Sequence, residues 1–238
     1  PNIGRSTSKG FTVRNAFFWE ISDSQDATLS HTYYQERGHK AELEYRYKYS
    51  KQTDGTFEGQ YIRDKLDLTE RKRLKWTHRH GLPYAIKARM NLNLTSDDQF
   101  DEDFETRLED RTRRKIESNV SVTRNFSQHS IHLLFDREDD LREEGADRAD
   151  QRFPELQFTS QKQRLFGSPL YVEQKSQISR LKREGKEGEA LDFIRVDIQP
   201  TLSLSLNLIK QALTINPSLQ LRETYYPRDA ETASDPDL

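Results

Sequence analysis

The chain has 238 residues, of which 32% are apolar and 33% are charged, and its 38 basic and 40 acidic residues leave a net charge of −2. A helical membrane protein is excluded because no run of about 18 apolar residues occurs. A nucleic-acid-binding protein would usually carry a basic excess, so no nucleic-acid partner is expected. The absence of cysteine excludes disulfide frameworks, thiolate metal sites and cysteine nucleophiles.

Apolar and polar residues alternate with a period of two along most of the chain. In chain order the alternation is clearest in residues 40–49 (KAELEYRYKY), 84–95 (YAIKARMNLNLT) and 201–208 (TLSLSLNL). Alternation over this length is typical of a strand with one apolar and one polar face. It predicts about twelve strands, near residues 12–21, 26–35, 39–50, 55–64, 69–79, 82–95, 114–126, 129–137, 153–161, 168–182, 190–206 and 212–226.

The predicted connections alternate between short turns and long charged loops. The short turns contain Arg37-Gly38, residues 53–55, His80-Gly81 and residues 125–128. Long charged loops are expected at residues 96–115, 136–152 and around 182–189. No stretch has a convincing period of 3.6, so no helix is predicted. Residues 227–238 read as a flexible tail on a single domain spanning residues 1–238. The start at Pro1, with neither a basic n-region nor an apolar h-region, predicts a mature or excised segment.

Long strands of this kind indicate a particular all-β fold class. Strands of soluble sandwiches usually have about 5–6 residues, whereas several here run to ten or more. In lipid every backbone N–H and C=O must pair, and a continuous antiparallel sheet achieves this pairing. We therefore predict an antiparallel up-and-down β-barrel of the transmembrane type, whose polar face lines a wet lumen. The strands could also form only part of a barrel wall.

Residues 11–46 carry a pattern that resembles a known family. It comprises Phe17-Phe18-Trp19, Asp26-Ala27-Thr28-Leu29, Tyr33, Arg37-Gly38 and Glu44-Tyr45-Arg46-Tyr47. Further pieces follow in order as YIRD (61–64), SDDQFDEDF (96–104), FPEL (153–156) and IQPTL (198–202). In order and spacing these pieces are similar to the N-terminal part of the barrel domain of the lipopolysaccharide-assembly outer-membrane proteins, the LptD (Imp/OstA) family.

The resemblance implies a place in lipopolysaccharide transport and assembly at the Gram-negative outer membrane. The implied partners are lipopolysaccharide, a lipoprotein plug inside the barrel, a periplasmic bridge protein and membrane lipid. It also implies a seam between the first and last strands, loosened in the family by prolines near the first two strands. The matching positions are Ala16 and His31, and this departure puts lateral opening in doubt because non-proline residues can complete the ladder hydrogen bonds.

Charged residues of the polar face are the candidate site residues. The expected lumen-lining or lipid-pathway positions are Asp26, Arg37, Glu42, Glu44, Arg46, Lys87 and Arg89. Arginine and lysine there could contact lipid phosphates through charge-assisted hydrogen bonds. Alternatively, these residues pair with acidic neighbours across the strands and only keep the lumen wet.

Catalytic and metal chemistry find little support in the sequence. The acidic run in residues 97–105 lacks the spacing of a calcium loop and is expected to be a solvated loop. His78 and His80 share a strand face, but no third ligand is evident, so no metal site is expected. His129 and Ser130 point to opposite faces and no G-x-S-x-G occurs, so neither an enzyme nor a cofactor is predicted.

The sequence therefore predicts a translocon barrel with a hydrated lumen and no catalysis. Two alternatives stay open at this point. One is a water-soluble or redesigned relative of the family with no transport activity, which the polar first strands would suit. The other is a general outer-membrane porin.

Overall fold

The computed structural model describes residues 1–105, 111, 115–140, 148–184, 190–209 and 213–227. Its strands are β1 (Asn2–Ser6), β2 (Gly10–Ser22), β3 (Gln25–Tyr34), β4 (Gly38–Lys48), β5 (Asp54–Asp64), β6 (Glu70–Leu82), β7 (Ile86–Thr95), β8 (Lys115–Phe126), β9 (His129–Asp140), β10 (Arg148–Arg164), β11 (Leu170–Glu184), β12 (Ala190–Leu204), β13 (Leu206–Ile209), β14 (Leu213–Ile215), β15 (Ser218–Gln220) and β16 (Glu223–Tyr225). A short helix, α1 (Phe100–Phe104), lies between β7 and β8.

The strands follow one another as antiparallel neighbours. The hydrogen-bonded order runs from β1 to β12 without a crossover and continues to β15, and β16 also pairs with β12. This order confirms the predicted all-β, up-and-down arrangement of long strands. Among the described residues the order does not return to β1. No helix in the same residues is long and apolar enough to span a membrane.

Several predicted boundaries were wrong. The β6–β7 turn lies at residues 83–85 instead of His80-Gly81. Pro83 cannot donate to the ladder, and Tyr84 and Ala85 take left-handed φ angles of 62° and 57°. The single strand predicted over 212–226 is three short strands, and β1 and α1 were not predicted. Strands β9 and β10 extend into the predicted 136–152 loop, and the predicted tail beyond Pro227 lies outside the described residues.

The chain divides into two compact units, here called the N-terminal and C-terminal units. The N-terminal unit comprises residues 1–81, 88–120 and 138–146, and the C-terminal unit comprises residues 82–87, 121–137 and 147–238. In the C-terminal unit, Glu155 of β10 is 1% exposed and accepts hydrogen bonds from Gln157, Gln177 and Ser179 at 2.6–3.2 Å. Arg222 binds Asp197 of β12 at 2.6 Å.

The sheet of the N-terminal unit has two chemically distinct faces, because residues paired across neighbouring strands share a face. Leu29, Leu43, Gly59 and Leu74 are successive partners in β3 to β6. Leu29, Phe17 and Trp19 lie on this apolar face and each leaves more than half of its surface exposed. The opposite, polar face carries successive partners such as Asp26, Arg46, Thr56 and Thr77.

Candidate functional site: the polar face of the N-terminal unit

One end of the polar face forms a cavity of about 780 Å³. The Arg46 guanidinium donates to Asp26 at 2.8 Å, and Arg79 donates to Asp54 at 2.7 Å. Arg89 lines the same cavity. Further polar walls come from Glu20, Lys48, Asn91 and Asn119. The cavity therefore offers cationic, anionic and amide groups together, a set that can hydrogen-bond both sugar hydroxyls and phosphates.

The other end of the polar face is covered by residues 96–105, here called the strap, which include α1. Phe100 and Phe104 lie four residues apart on α1 and are 0% and 1% exposed. They pack with Tyr34 of β3 and Ile62 of β5 in one buried cluster. Lys40 of β4 donates to the Phe104 carbonyl oxygen at 3.3 Å, which ties the end of the helix to the sheet.

A buried ionic network joins the strap to the strands beneath it. Arg71 of β6 contacts Asp97 at 2.5 Å and Asp103 at 2.6 Å. Arg73, two positions along β6 and therefore on the same face, contacts Asp101 at 2.7 Å and also Glu105.

Arg37, in the turn before β4, completes this network. It bridges Asp64 at 2.6 Å and Asp103 at 3.1 Å. Gly38 fits beside it because its φ is +98° and a Cβ there would lie 3.0 Å from the Arg63 carbonyl oxygen. The turn that holds Arg37 therefore requires glycine at this position.

The structure brings some of the predicted site residues together and separates others. Asp26, Arg46 and Arg89 line the cavity, whereas Arg37 belongs to the strap network. Glu42 lies between the two, 3.1 Å from Lys40 and 3.5 Å from Arg14. Glu44 is 3.7 Å from Arg46. Lys87 is exposed and lies in the C-terminal unit.

The two candidate seam positions occupy β2 and β3. Ala16 pairs with Ser30 and His31 pairs with Asn15, and the register is regular from Thr12 to Glu20. The His31 and His39 rings stack, with 3.1 Å between Nε2 and Nδ1. The β2–β3 ladder is therefore continuous through both positions.

The prediction of a solvated acidic loop at residues 97–105 holds for Asp98 and Glu102, which are exposed, and was wrong for the rest of the run. Asp101 is 4% exposed, and strap acids are paired with Arg37, Arg71 and Arg73. Four residues of this network were not predicted as site residues, namely Lys40, Asp64, Arg71 and Arg73. Two signals were available, namely the spacing of Phe100 and Phe104 and the alternation of Arg71 and Arg73 on one strand face.

The histidines show ordinary strand packing. His78 and His80 stack with ring centroids 5.8 Å apart, and His78 Nδ1 is 2.7 Å from the Tyr47 hydroxyl. Across the part of the chain that the structure describes, no group of three or more His, Asp or Glu side chains could hold a metal ion.

Comparison with known families decides the relationship that the residues above suggested. The sequence profile of the LptD family, described as LPS transport system D, matches residues 69–237. The chain belongs to the LptD family. The resemblance read from residues 11–46 and the later pieces is thereby confirmed.

Curated LptD-family relatives extend the match over the whole chain. The LPS-assembly protein LptD of Actinobacillus pleuropneumoniae serotype 5b (strain L20) is 35% identical over 114 residues, covering 44% of this chain and 14% of that protein. Its counterpart from Pasteurella multocida (strain Pm70) is 26% identical over 249 residues, covering 99% and 30%. That of Vibrio vulnificus (strain YJ016) is 21% identical, covering 100% and 30%. The chain thus spans less than a third of the length of these relatives.

Proposed function

We propose that the chain forms part of the wall of an outer-membrane barrel that transports and assembles lipopolysaccharide. The observation that carries this proposal is the LptD-family match over residues 69–237. The relatives that match are LPS-assembly proteins by name. The two-faced antiparallel sheet supports the proposal, because a lipid-facing strand wall needs one apolar face and complete backbone pairing.

The polar face would act as a hydrated path for the sugar and phosphate groups of the lipid. Asp26, Arg46 and Arg89 in the cavity provide charged and polar groups for this path, and Arg37, Glu42, Glu44 and Lys87 are further lumen-lining candidates. The acyl chains would stay with membrane lipid on the apolar side of the wall. Transport along such a path requires binding and release and no bond cleavage, so we propose a conduit and no catalytic step.

The family assignment also supports three proposals about assembly. The full-length protein would hold a lipoprotein plug inside its barrel and receive lipid from a periplasmic bridge protein. Its seam would involve the strands that carry Ala16 and His31. Because the β2–β3 ladder is continuous through both residues, we propose that opening is not eased at these two positions as proline would ease it.

Charge reversal at Arg46 tests the conduit in a full-length protein that carries this segment. Arg46 is 52% exposed, so its pair with Asp26 contributes only about 0–1 kcal/mol to stability after solvent screening. We expect R46E to impair lipopolysaccharide delivery, measured as increased outer-membrane permeability, at unchanged protein level.

The charge-swapped double variant D26R/R46D is the control for a purely structural effect. It restores the ion pair but places the cation on the neighbouring strand. We expect delivery to stay impaired if Arg46 contacts the lipid. Unchanged permeability in R46E, or full rescue by the swap, would count against a lipid-contacting role.

A further inference from the structure

The strap covers a cluster of buried cations on the polar face, here called the basic site, formed by Arg37, Lys40, Arg71 and Arg73. Their side chains are 14%, 3%, 7% and 4% exposed. Lys40, Arg71 and Arg73 lie on β4 and β6, and Arg37 lies in a tight turn, so paired strands fix the positions of all four. Charged groups are rarely buried to this extent unless they are paired.

Most of the counter-charge comes from the strap and little from the wall. Asp97, Asp101, Asp103 and Glu105 of the strap contact the three arginines. The strands themselves contribute Asp64, against Arg37 and Arg71, and Glu42, against Lys40. Among the described residues the four buried cations thus face two carboxylates of the wall, so the wall beneath the strap is basic.

Lys9, in the turn before β2, adds a further positive charge near the strap. Burial lowers the pKa of its ammonium group, Lys40, Arg111 and Arg37 lower it further, and Asp103 raises it. Its nitrogen lies 5.4 Å from the Tyr34 ring centroid and 5.7 Å from that of Phe104, at the edge of the buried cluster. A fifth cation therefore borders the basic site.

We propose that the basic site is an anion-binding site, that the acidic strap is its built-in occupant, and that phosphate groups of lipopolysaccharide compete with the strap for it. The inference rests on the proposed function, and it adds to that function a specific subsite and a gating segment. It requires that an anion offers the arginines the same contacts that the strap carboxylates provide.

The chemistry of the basic site suits a phosphorylated ligand. Arginine presents parallel N–H donors that bind carboxylate and phosphate alike, often in bidentate geometry. Arg71 already makes such a contact, donating from Nε and Nη2 to the two Asp97 oxygens at 3.0 and 2.5 Å. Arg71 and Arg73, on one face of β6, offer two such forks side by side, which matches a ligand with more than one phosphate.

Apolar contacts also keep the strap on the sheet, and a ligand must compensate for their loss. Burial of both phenylalanine rings stabilises the docked strap, so a single weak anion would not displace Phe100 and Phe104. A ligand can shift this equilibrium only by its differential affinity for the open state. Any change that weakens the strap while leaving the cations in place should therefore raise the apparent affinity for phosphate.

The test follows the strap directly in the 238-residue chain in detergent micelles. The chain has no cysteine, so E102C at an exposed position of α1 takes a single nitroxide label. Electron paramagnetic resonance then measures the mobility of the label during titration. The probes are purified lipopolysaccharide, the same material with its lipid phosphates removed, and inorganic pyrophosphate. We expect saturable mobilisation of the label by intact lipopolysaccharide and by pyrophosphate, and none by the dephosphorylated lipid.

Two substitutions with opposite expected effects distinguish competition between strap and phosphate from general destabilisation of the fold. One removes charge from the strap, and the other alters an arginine of the basic site. D103N/E105Q keeps hydrogen-bond acceptors but removes strap charge, and we expect the midpoint concentration of lipopolysaccharide to fall about tenfold, the equivalent of about 1.4 kcal/mol. R71K keeps the charge and loses the guanidinium fork, and we expect a rise of about tenfold. The matched control is K72Q, which removes a cation from the same strand at a 62% exposed position on the opposite face.

Three results would overturn the inference. The first is equal response to phosphorylated and dephosphorylated lipid, and the second is weaker binding by D103N/E105Q. The third is mobilisation of the label by pyrophosphate but not by intact lipopolysaccharide, which would show that lipopolysaccharide is not the ligand. None of these results depends on transport, whereas failure of the proposed function would appear as normal permeability in the R46E cells.

Discussion

Truncation of Phe104 to alanine should destabilise the N-terminal unit strongly. The ring is 1% exposed, and its centroid lies 5.4 Å from that of Phe100 and 6.1 Å from that of Tyr34. The Arg71 guanidinium lies 5.0 Å above it. Phe→Ala in a packed interior costs about 3–5 kcal/mol through lost burial and the cavity left behind, and loss of the cation–π contact adds about 0.5–2 kcal/mol. We expect F104A to lose about 3–5 kcal/mol in total, which is less than the sum of the two contributions because the strap can move partly into the space.

Urea unfolding of the chain in detergent micelles measures this loss, followed both by tryptophan fluorescence and by far-UV circular dichroism, which reports on the strands of both units. Trp19 in β2 and Trp76 in β6 report on the strands of the same unit. F166A is the matched control, because Phe166 is 97% exposed in the β10–β11 turn and its removal should change stability by less than about 0.5 kcal/mol. A loss below about 1 kcal/mol for F104A would refute the conclusion that the strap is a packed part of the fold.

Three further predictions concern other parts of the chain. G38A should cost about 1–3 kcal/mol because φ is +98° there, and its urea midpoint should fall well below that of the unaltered chain. E155Q places an amide among three donors and should cost about 1–3 kcal/mol by the same assay, and an unchanged midpoint would contradict the described network. H31P should raise amide hydrogen exchange in β2 and β3, since proline at position 31 removes a donor that faces β2, whereas unchanged exchange would show that this position does not control the ladder.

Circular dichroism and size exclusion, in plain buffer and then in detergent, test the predicted membrane environment of the apolar face. We expect a compact β-structured monomer only in detergent, because Phe17, Trp19 and Leu29 are largely exposed on that face. A folded, monodisperse protein in plain buffer would instead favour the water-soluble relative and exclude transport.

The alternation of apolar and polar residues was sufficient to predict the strands and their faces. Residues 40–49 show why, since Leu43 and Glu44 fall on opposite faces in the sequence pattern and also in the register with β5. Such a signal is local, because successive side chains of any one strand point to opposite faces of the sheet. The β6–β7 turn was misplaced because Gly81 is a common turn residue, whereas Tyr84 and Ala85, which take the left-handed φ, are not.

The strap could not be predicted from a local pattern. Helix α1 has five residues, too few for a period of 3.6 to be recognised. Its acids are balanced by Arg71 and Arg73, which are remote in sequence, so a local reading finds only an acidic run. Only the pairing of the strands, which places β3 to β6 beneath the strap, brings the acidic run next to its basic partners.

The position of the strap in the chain also sets an order of folding. Strands β1 to β7 pair with sequence neighbours through short connections, so their hairpins can form early at a small cost in loop entropy. The strap contacts reach much further, since Arg37 and Asp103 are 66 residues apart and Lys40 and Phe104 are 64 apart. Their binding surface does not exist until β3, β4, β5 and β6 have paired. Docking of the strap would therefore be a late step that marks completed assembly of these strands.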